Sequence, residues 1–283
     1  LETDPIHRLT GLYASTYFSA TKIEWILKNV PKAAELAKTG ELAFGTMDTW
    51  LIWNLTSGVG ENSGGVHVTD YTNASRTMLF DIEKLEWSEE LLKLFGIPAE
   101  IMPQPLPSIS RDCYGYTDLW GMVDGVVPVC GDLGDQQAAL FGQTCYSVGD
   151  AKNTYGTGCF LLQNIGERPV LSQHGLLTTV AYSMERGRAV YAMEGSIAIA
   201  GSLLKWLSEN IGLISSPRES GEVAARAGDE GSAGVYFVPA FSGLFAPYWD
   251  PSARGLIIGL SAYSRREHIV YAALESICWQ TYD

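Results

Sequence analysis

Apolar residues recur at helical spacing in TKIEWILKNVPKAAELAK (21–38), where Ile23, Ile26 and Leu27 fall on one face. Pro31 is expected to end that helix, because its ring clashes with the preceding turn. The run DTWLIWNLT (48–56) is too short for periodicity to separate a buried strand from a helix. GVGENSGG (58–65) is polar and glycine-rich, and VHVTDY (66–71) alternates like a strand, so a hairpin loop is expected. No Gly-Lys-Ser/Thr follows, which excludes a P-loop. SEELLKLFGI (88–97) predicts a short amphipathic helix with Ser88 as its N-cap and Gly96 near its C-cap.

VVPVC (126–130) reads as a buried strand leading into GDLGDQQAAL (131–140). From about 145 the texture changes to strand-like runs separated by turn residues. A helix is predicted over 196–213, with Ile197, Ala200, Leu204, Leu207 and Ile211 as its core face. The last helix begins near Glu267. Strands alternating with helices in two blocks predict an α/β protein of two lobes, divided near 142–147.

The composition narrows the function classes. A formal net charge of −13 argues against a broad nucleic-acid or anionic-membrane surface. No apolar run approaches the ~18–20 residues of a membrane span. Five widely spaced cysteines without CxxC or Cys/His spacing point to neither zinc nor a disulfide framework, and so to a reducing, cytoplasmic setting. The four histidines are isolated in sequence.

Three stretches carry candidate chemistry. In the first, Asp135 stands where a helix N-cap belongs and Asp132 where a turn residue belongs, and both have those plain readings. The loop after a strand's carboxyl end is also where open α/β sheets bind ligands, and a carboxylate there can take an alcohol's proton. In NTYGTGCF (153–160), Gly156 and Gly158 flank Thr157, giving either a glycine turn or a concave anion site. Gly201 and Lys205 share a face of the 196–213 helix, and a glycine inside a helix implies close approach by another helix or by a flat ligand. The aromatic loop FSGLFAPYWDP (241–251) is read as an anchor on the core.

Together these stretches resemble the FGGY family of carbohydrate kinases. YFSATKIEWILKN (17–29) is similar to the family's first signature, with Lys22 and Trp25 at the expected spacing, and GLIIGLSAYSRREHIVYAALE (255–275) to its second. TDYTNASRTML, GDQQAALFG, AKNTYGTGCF and PYWDPSARG resemble the family's glycerol kinases, in wording nearest to animal members. The resemblance implies an actin/hexokinase-like (ribonuclease H-like) fold of two lobes. Residues 1–144 would form part of the N-terminal, glycerol-side lobe, and 145–283 part of the C-terminal, nucleotide-side lobe. It implies MgATP-dependent phosphorylation of glycerol to sn-glycerol 3-phosphate. Asp135 would be the general base, lying indirectly near the Mg²⁺. Tyr17, Gln136 and Phe160 would contact glycerol, and Thr157, Gly158, Gly201 and Lys205 would contact ATP. Asp132 falls where relatives vary and is read as a turn residue.

The family's N-terminal phosphate loop, its Arg-Glu pair and Trp at the glycerol site, and its C-terminal adenine-binding segment find no match. The chain therefore reads as an internal fragment of both lobes that is inactive alone. GYTDLWGMVDGVV (115–127) lacks the arginine of a Gly-Gly-x-Arg loop, so inhibition by fructose bisphosphate is not expected. Another FGGY sugar or polyol kinase, or a non-catalytic nucleotide-binding relative, remains the alternative. Homo-oligomerisation is left open.

Overall fold

The computed structural model describes residues 4–59 and 64–283. The chain divides into two compact units, Leu1–Lys152 with Leu162–Ser172 and Leu177–Glu194, and Asn153–Leu161 with Gln173–Leu176 and Gly195–Asp283. Helices and strands alternate in a mixed α/β arrangement. Among the described residues no helix is long and apolar enough to cross a membrane.

In the first unit, Pro31 ends one helix, Ser19–Asn29, and starts the next, Pro31–Thr39, because a residue without an N–H costs nothing at a first helical position. Ala20 and Ile23 are the buried positions of Ser19–Asn29, while Ile26 is exposed, so the core stripe is narrower than the apolar pattern. The ambiguous run at 48–56 is helical, within Met47–Thr56. The expected hairpin is not formed. This helix precedes the glycine-rich stretch, and the strand after it, Val68–Asp70, pairs in parallel with Gln104–Leu106. Residues 60–63 of that stretch lie outside the described residues. Ser88 caps Glu89–Phe95 by accepting from the Leu91 N–H, and Gly96 closes it in the left-handed conformation, as expected.

Val127–Val129 forms a strand antiparallel to Gly115–Thr117. It is not buried as expected: Val126 and Val127 are exposed, since this two-stranded ribbon keeps one face in solvent. Leu177–Glu185 and Arg188–Ile197 pair antiparallel, with Tyr191 opposite Val180. Tyr71, Ala74, Phe80, Ile82, Val180, Ala189 and Tyr191 join in one apolar cluster of this unit. The Tyr191 hydroxyl donates to the Ile82 carbonyl at 2.7 Å, so the buried phenol is not left unpaired.

In the second unit, the predicted helix over 196–213 is only Gly201–Glu209, because residues up to Ile197 still belong to the strand. Its buried face is Leu203 and Leu207 rather than Leu204 and Ile211. These leucines pack with Val223, Val235, Phe237, Val270 and Ala273, the last two from Arg266–Tyr282, the helix predicted to begin near Glu267. The aromatic loop is anchored: Phe245 and Trp249 stack, and the Trp249 indole donates to the Gly175 carbonyl at 2.7 Å. His268 is fully buried, with Nε2 3.1 Å from Glu230 Oε2, a partner invisible in sequence.

Candidate active site

The loop at 131–134 is tied down before the helix Asp135–Gly142 begins. The Gly134 N–H donates to the Thr72 hydroxyl at 2.8 Å, and that hydroxyl donates to Asp70 Oδ1 at 2.7 Å. Gly134, not Asp135, is the N-cap, and Asp135 is the first helical residue. The capping role considered for Asp135 is therefore filled by backbone. Its carboxylate stands exposed in the first turn, where the exposed amides of the helix end favour negative charge.

Around Asp135 the first unit gathers groups from four segments. Gln136 Nε2 donates to Asp135 Oδ2 at 3.2 Å, and Lys152 Nζ donates to Gln136 Oε1 at 2.5 Å. Arg76 Nη2 donates to Glu194 Oε1 at 2.9 Å, while Nη1 lies 2.9 Å from Oε2. The Glu194 side chain is 2% exposed, and the Arg76 guanidinium, hydrogen-bonded through Nη2 and close by charge at Nη1, offsets the cost of burying it. The Arg76 guanidinium also lies over the Phe18 ring, and Tyr17 meets that ring edge-on at 5.2 Å. Burial raises the Tyr17 phenol pKa, with Arg76 opposing and Glu194 and Asp135 adding to the rise. Burial lowers the pKa of the Lys152 ammonium, against the pull of Glu194 and Asp135. Tyr17, Asp135 and Gln136, which the resemblance groups as site residues, thus lie near one another in the first unit. Arg76, Lys152 and Glu194 were missed. Arg76 and Lys152 lie inside the quoted stretches TDYTNASRTML and AKNTYGTGCF, but nothing in the spacing links them to Glu194.

Asp132 is not a turn residue exposed to water. Burial, together with the nearby carboxylates of Asp70 and Asp48, pushes its pKa up to about 9. Asp132 Oδ2 and Asp48 Oδ1 are both buried, and a hydrogen bond between the two side chains, with the proton on Asp132, adds to the rise. The turn reading fails because the two other carboxylates arrive from distant segments. This has a measurable consequence for stability. Unfolded, the carboxyl titrates near its ordinary 3.8; folded, it keeps its proton to about 9. Between those values the folded state binds more protons, so the stabilisation is full below pH 4 and declines as pH rises toward 9. Asp132→Asn, which cannot ionise, is expected to flatten that decline, read as a smaller difference in urea midpoint between about pH 5 and pH 8.5.

The second unit holds the glycine turn. The Gly156 N–H donates to the Gly158 carbonyl at 2.8 Å. The start of Gly201–Glu209 docks on this turn: Gly201 N–H donates to Gly156 O and Ala200 N–H to Thr157 O, both at 2.8 Å, and the Ser202 hydroxyl donates to Thr157 O at 2.8 Å. Gly201 is therefore at the first position of its helix, not inside it. A Cβ there would lie 2.5 Å from the Gly156 carbonyl oxygen, and one at Gly158 would lie 2.2 Å from that of Ile197. Close backbone approach demands both glycines. Thr157 is exposed at the tip of the turn. Lys205, one turn into the helix, is exposed with Nζ 3.8 Å from Glu209 Oε2. Phe160 is half-buried near the start of the strand Cys159–Gly166, in the part that belongs to this unit.

Among the described residues no group of three or more His, Cys, Asp or Glu could hold a metal ion. Asp135 offers one exposed carboxylate, a hard oxygen donor of the kind that suits a magnesium ion held mainly by phosphate oxygens and water.

The N-terminal domain of the FGGY family of carbohydrate kinases matches residues 1–142, and its C-terminal domain matches residues 151–283. A glycerol kinase of Mycolicibacterium vanbaalenii is 52% identical over 99% of this chain and 54% of its own length. Glycerol kinase 2 of Thermotoga maritima is 54% identical over 98% of this chain and 54% of its own. The crystal structure of Plasmodium falciparum glycerol kinase with ADP superposes with a TM-score of 0.81 at 42% identity, covering 98% of this chain and 53% of that one. A ligand-bound xylulose kinase from Lactobacillus acidophilus shares the fold, with a TM-score of 0.76 at 22% identity over 98% of this chain and 54% of its own. The chain spans about half the length of the curated relatives it matches.

Proposed function

This chain belongs to the FGGY family of carbohydrate kinases, and from that premise we propose that the whole protein phosphorylates glycerol at its 3-hydroxyl with MgATP. The observation that carries the reading is Asp135, an exposed carboxylate on a helix's first turn beside Tyr17, held by Gln136. It stands in a chain 52–54% identical to proteins named glycerol kinase.

Asp135 accepts the proton of the attacking hydroxyl as its oxygen bonds the γ-phosphorus, while the bond from that phosphorus to the β–γ bridging oxygen breaks and ADP leaves. Gln136 hydrogen-bonds a neighbouring hydroxyl, and the ring of Tyr17 covers the carbon face of the triol. Thr157 and the backbone of the 156–158 turn receive phosphate oxygens, and Gly158 and Gly201 permit that close approach of backbone. The exposed face of Gly201–Glu209, with Lys205 on it, takes the nucleoside side. MgATP supplies the phosphoryl group and the charge neutralisation, with Asp135 near the magnesium rather than caging it. Such a reaction rests on positioning more than on covalent chemistry. The five cysteines are all free in the structure, which fits a cytoplasmic setting.

The test is an acceptor comparison on the whole protein with MgATP. Glycerol is expected to give a kcat/KM at least about tenfold above xylulose and erythritol, since each unmet polar group in a pocket built for a triol costs discrimination. A higher value for either alternative would overturn glycerol as the acceptor.

A further inference from the structure

We propose that Lys152 is a positioning residue that orients the Gln136 amide so that its N–H group, not its oxygen, faces the Asp135 carboxylate. The inference rests on the reading of Asp135 as the base. Lys152 is 3% exposed, in the strand Ala151–Tyr155. Its Nζ lies 2.5 Å from Gln136 Oε1. An ammonium has three donors and no acceptor, so only the carbonyl end of the amide can face it. The other end, Nε2, must then point away, and it donates to Asp135 Oδ2 at 3.2 Å. The three side chains form a directed series, Lys152 to Gln136 to Asp135.

Without the ammonium the amide could turn over at little cost, since its two ends have nearly the same shape. Its carbonyl oxygen would then face a carboxylate oxygen, and two acceptors repel. With Lys152 in place, Oδ2 is engaged and the carboxylate is fixed in rotation. Among the described residues, Oδ1 carries no hydrogen bond, which leaves it as the oxygen that takes the acceptor's proton. Burial makes the arrangement rigid: a lysine with its stem enclosed has few rotamers to explore. The cost of enclosing its charge is offset only in part by Glu194 and Asp135, the two carboxylates whose charges act on it, and burial still holds the ammonium's pKa below the ordinary lysine value.

The test compares Lys152→Met and Lys152→Arg in the whole protein, with fold checked by circular dichroism and melting. Lys152→Met is expected to lower kcat about 10- to 100-fold while the KM for ATP stays within about twofold, because a misplaced base weakens the chemical step and not nucleotide binding. Lys152→Arg, which keeps the donors, should restore kcat to within about fivefold of wild type. A Lys152→Met enzyme with kcat within about twofold of wild type would overturn the inference. So would an arginine variant as impaired as the methionine one, which would indicate packing alone. Should Lys152→Met fail to fold, Gln136→Glu keeps a partner for the ammonium but removes the donor to Asp135. The same kcat loss at constant KM for ATP is expected, and an unchanged kcat overturns the inference. Asp135→Asn run alongside separates this inference from the one beneath it. If that variant stays active, the base assignment fails and the role of Lys152 fails with it. If it is inactive while Lys152→Met is normal, only the role of Lys152 is lost.

Discussion

Replacing Asp135 by Asn in the whole protein is expected to lower kcat for glycerol phosphorylation by about 10²- to 10⁴-fold, the range of a lost general base. The KM values for glycerol and ATP should change far less, because the amide keeps the shape of the carboxylate and still accepts from Gln136 Nε2. Stability should hardly move. Asp135 is exposed, and the helix it begins is capped by the backbone of Gly134. A kinetic defect without a folding defect is therefore the expected signature. Steady-state kinetics with a coupled ADP assay, paired with thermal melts, reads both. A variant retaining more than about a tenth of wild-type kcat would remove Asp135 from the role of base.

Arg76→Met is expected to be the most destabilising single change near the site, by about 3 kcal/mol. The physical cause is not the loss of the attraction as such. Glu194 is 2% exposed, and without the guanidinium its carboxylate would be enclosed with much less compensation. Lys152, which also acts on Glu194, keeps the cost near the lower end of the usual range for a broken buried pair. Glu194→Gln should cost less, because Arg76 has 21% of its side chain in solvent and can rehydrate. The double variant Arg76→Met/Glu194→Leu should recover much of the loss, since an apolar pair of similar volume leaves no charge stranded. Urea unfolding of the three variants tests this ordering. A double variant less stable than Arg76→Met alone would show that the pair does more than neutralise itself.

The two carboxylates of the 131–135 segment, one exposed and one enclosed, contrast in a way that explains what could be read in advance. Asp135 and Gln136 are adjacent in sequence and follow a strand and a glycine loop, so their place at a helix start was legible from local chemistry. Asp132, three residues earlier, was misread as a turn residue. Nothing in GDLGD announces Asp48 and Asp70, whose charges together with burial raise its pKa. Gly201 was read half correctly. A glycine at that position does signal close approach, but the approaching group is the backbone of the 156–158 turn, and the helix begins at the glycine itself.

By itself the sequence determined what is decided within a few residues: the Ser88 cap, the Gly96 stop, the helix end before Pro31, the glycine turn at 156–158 and the family to which the chain belongs. Helical periodicity, capping and φ preference act over one or two turns of chain, so they are written in adjacent letters. Only the tertiary structure decided which charges are paired and which protons are held. Arg76 and Glu194 are 118 residues apart, and Lys152 reaches Gln136 across 16. Desolvation and Coulomb interactions depend on distance in space, and that distance is set only once the core has closed around them.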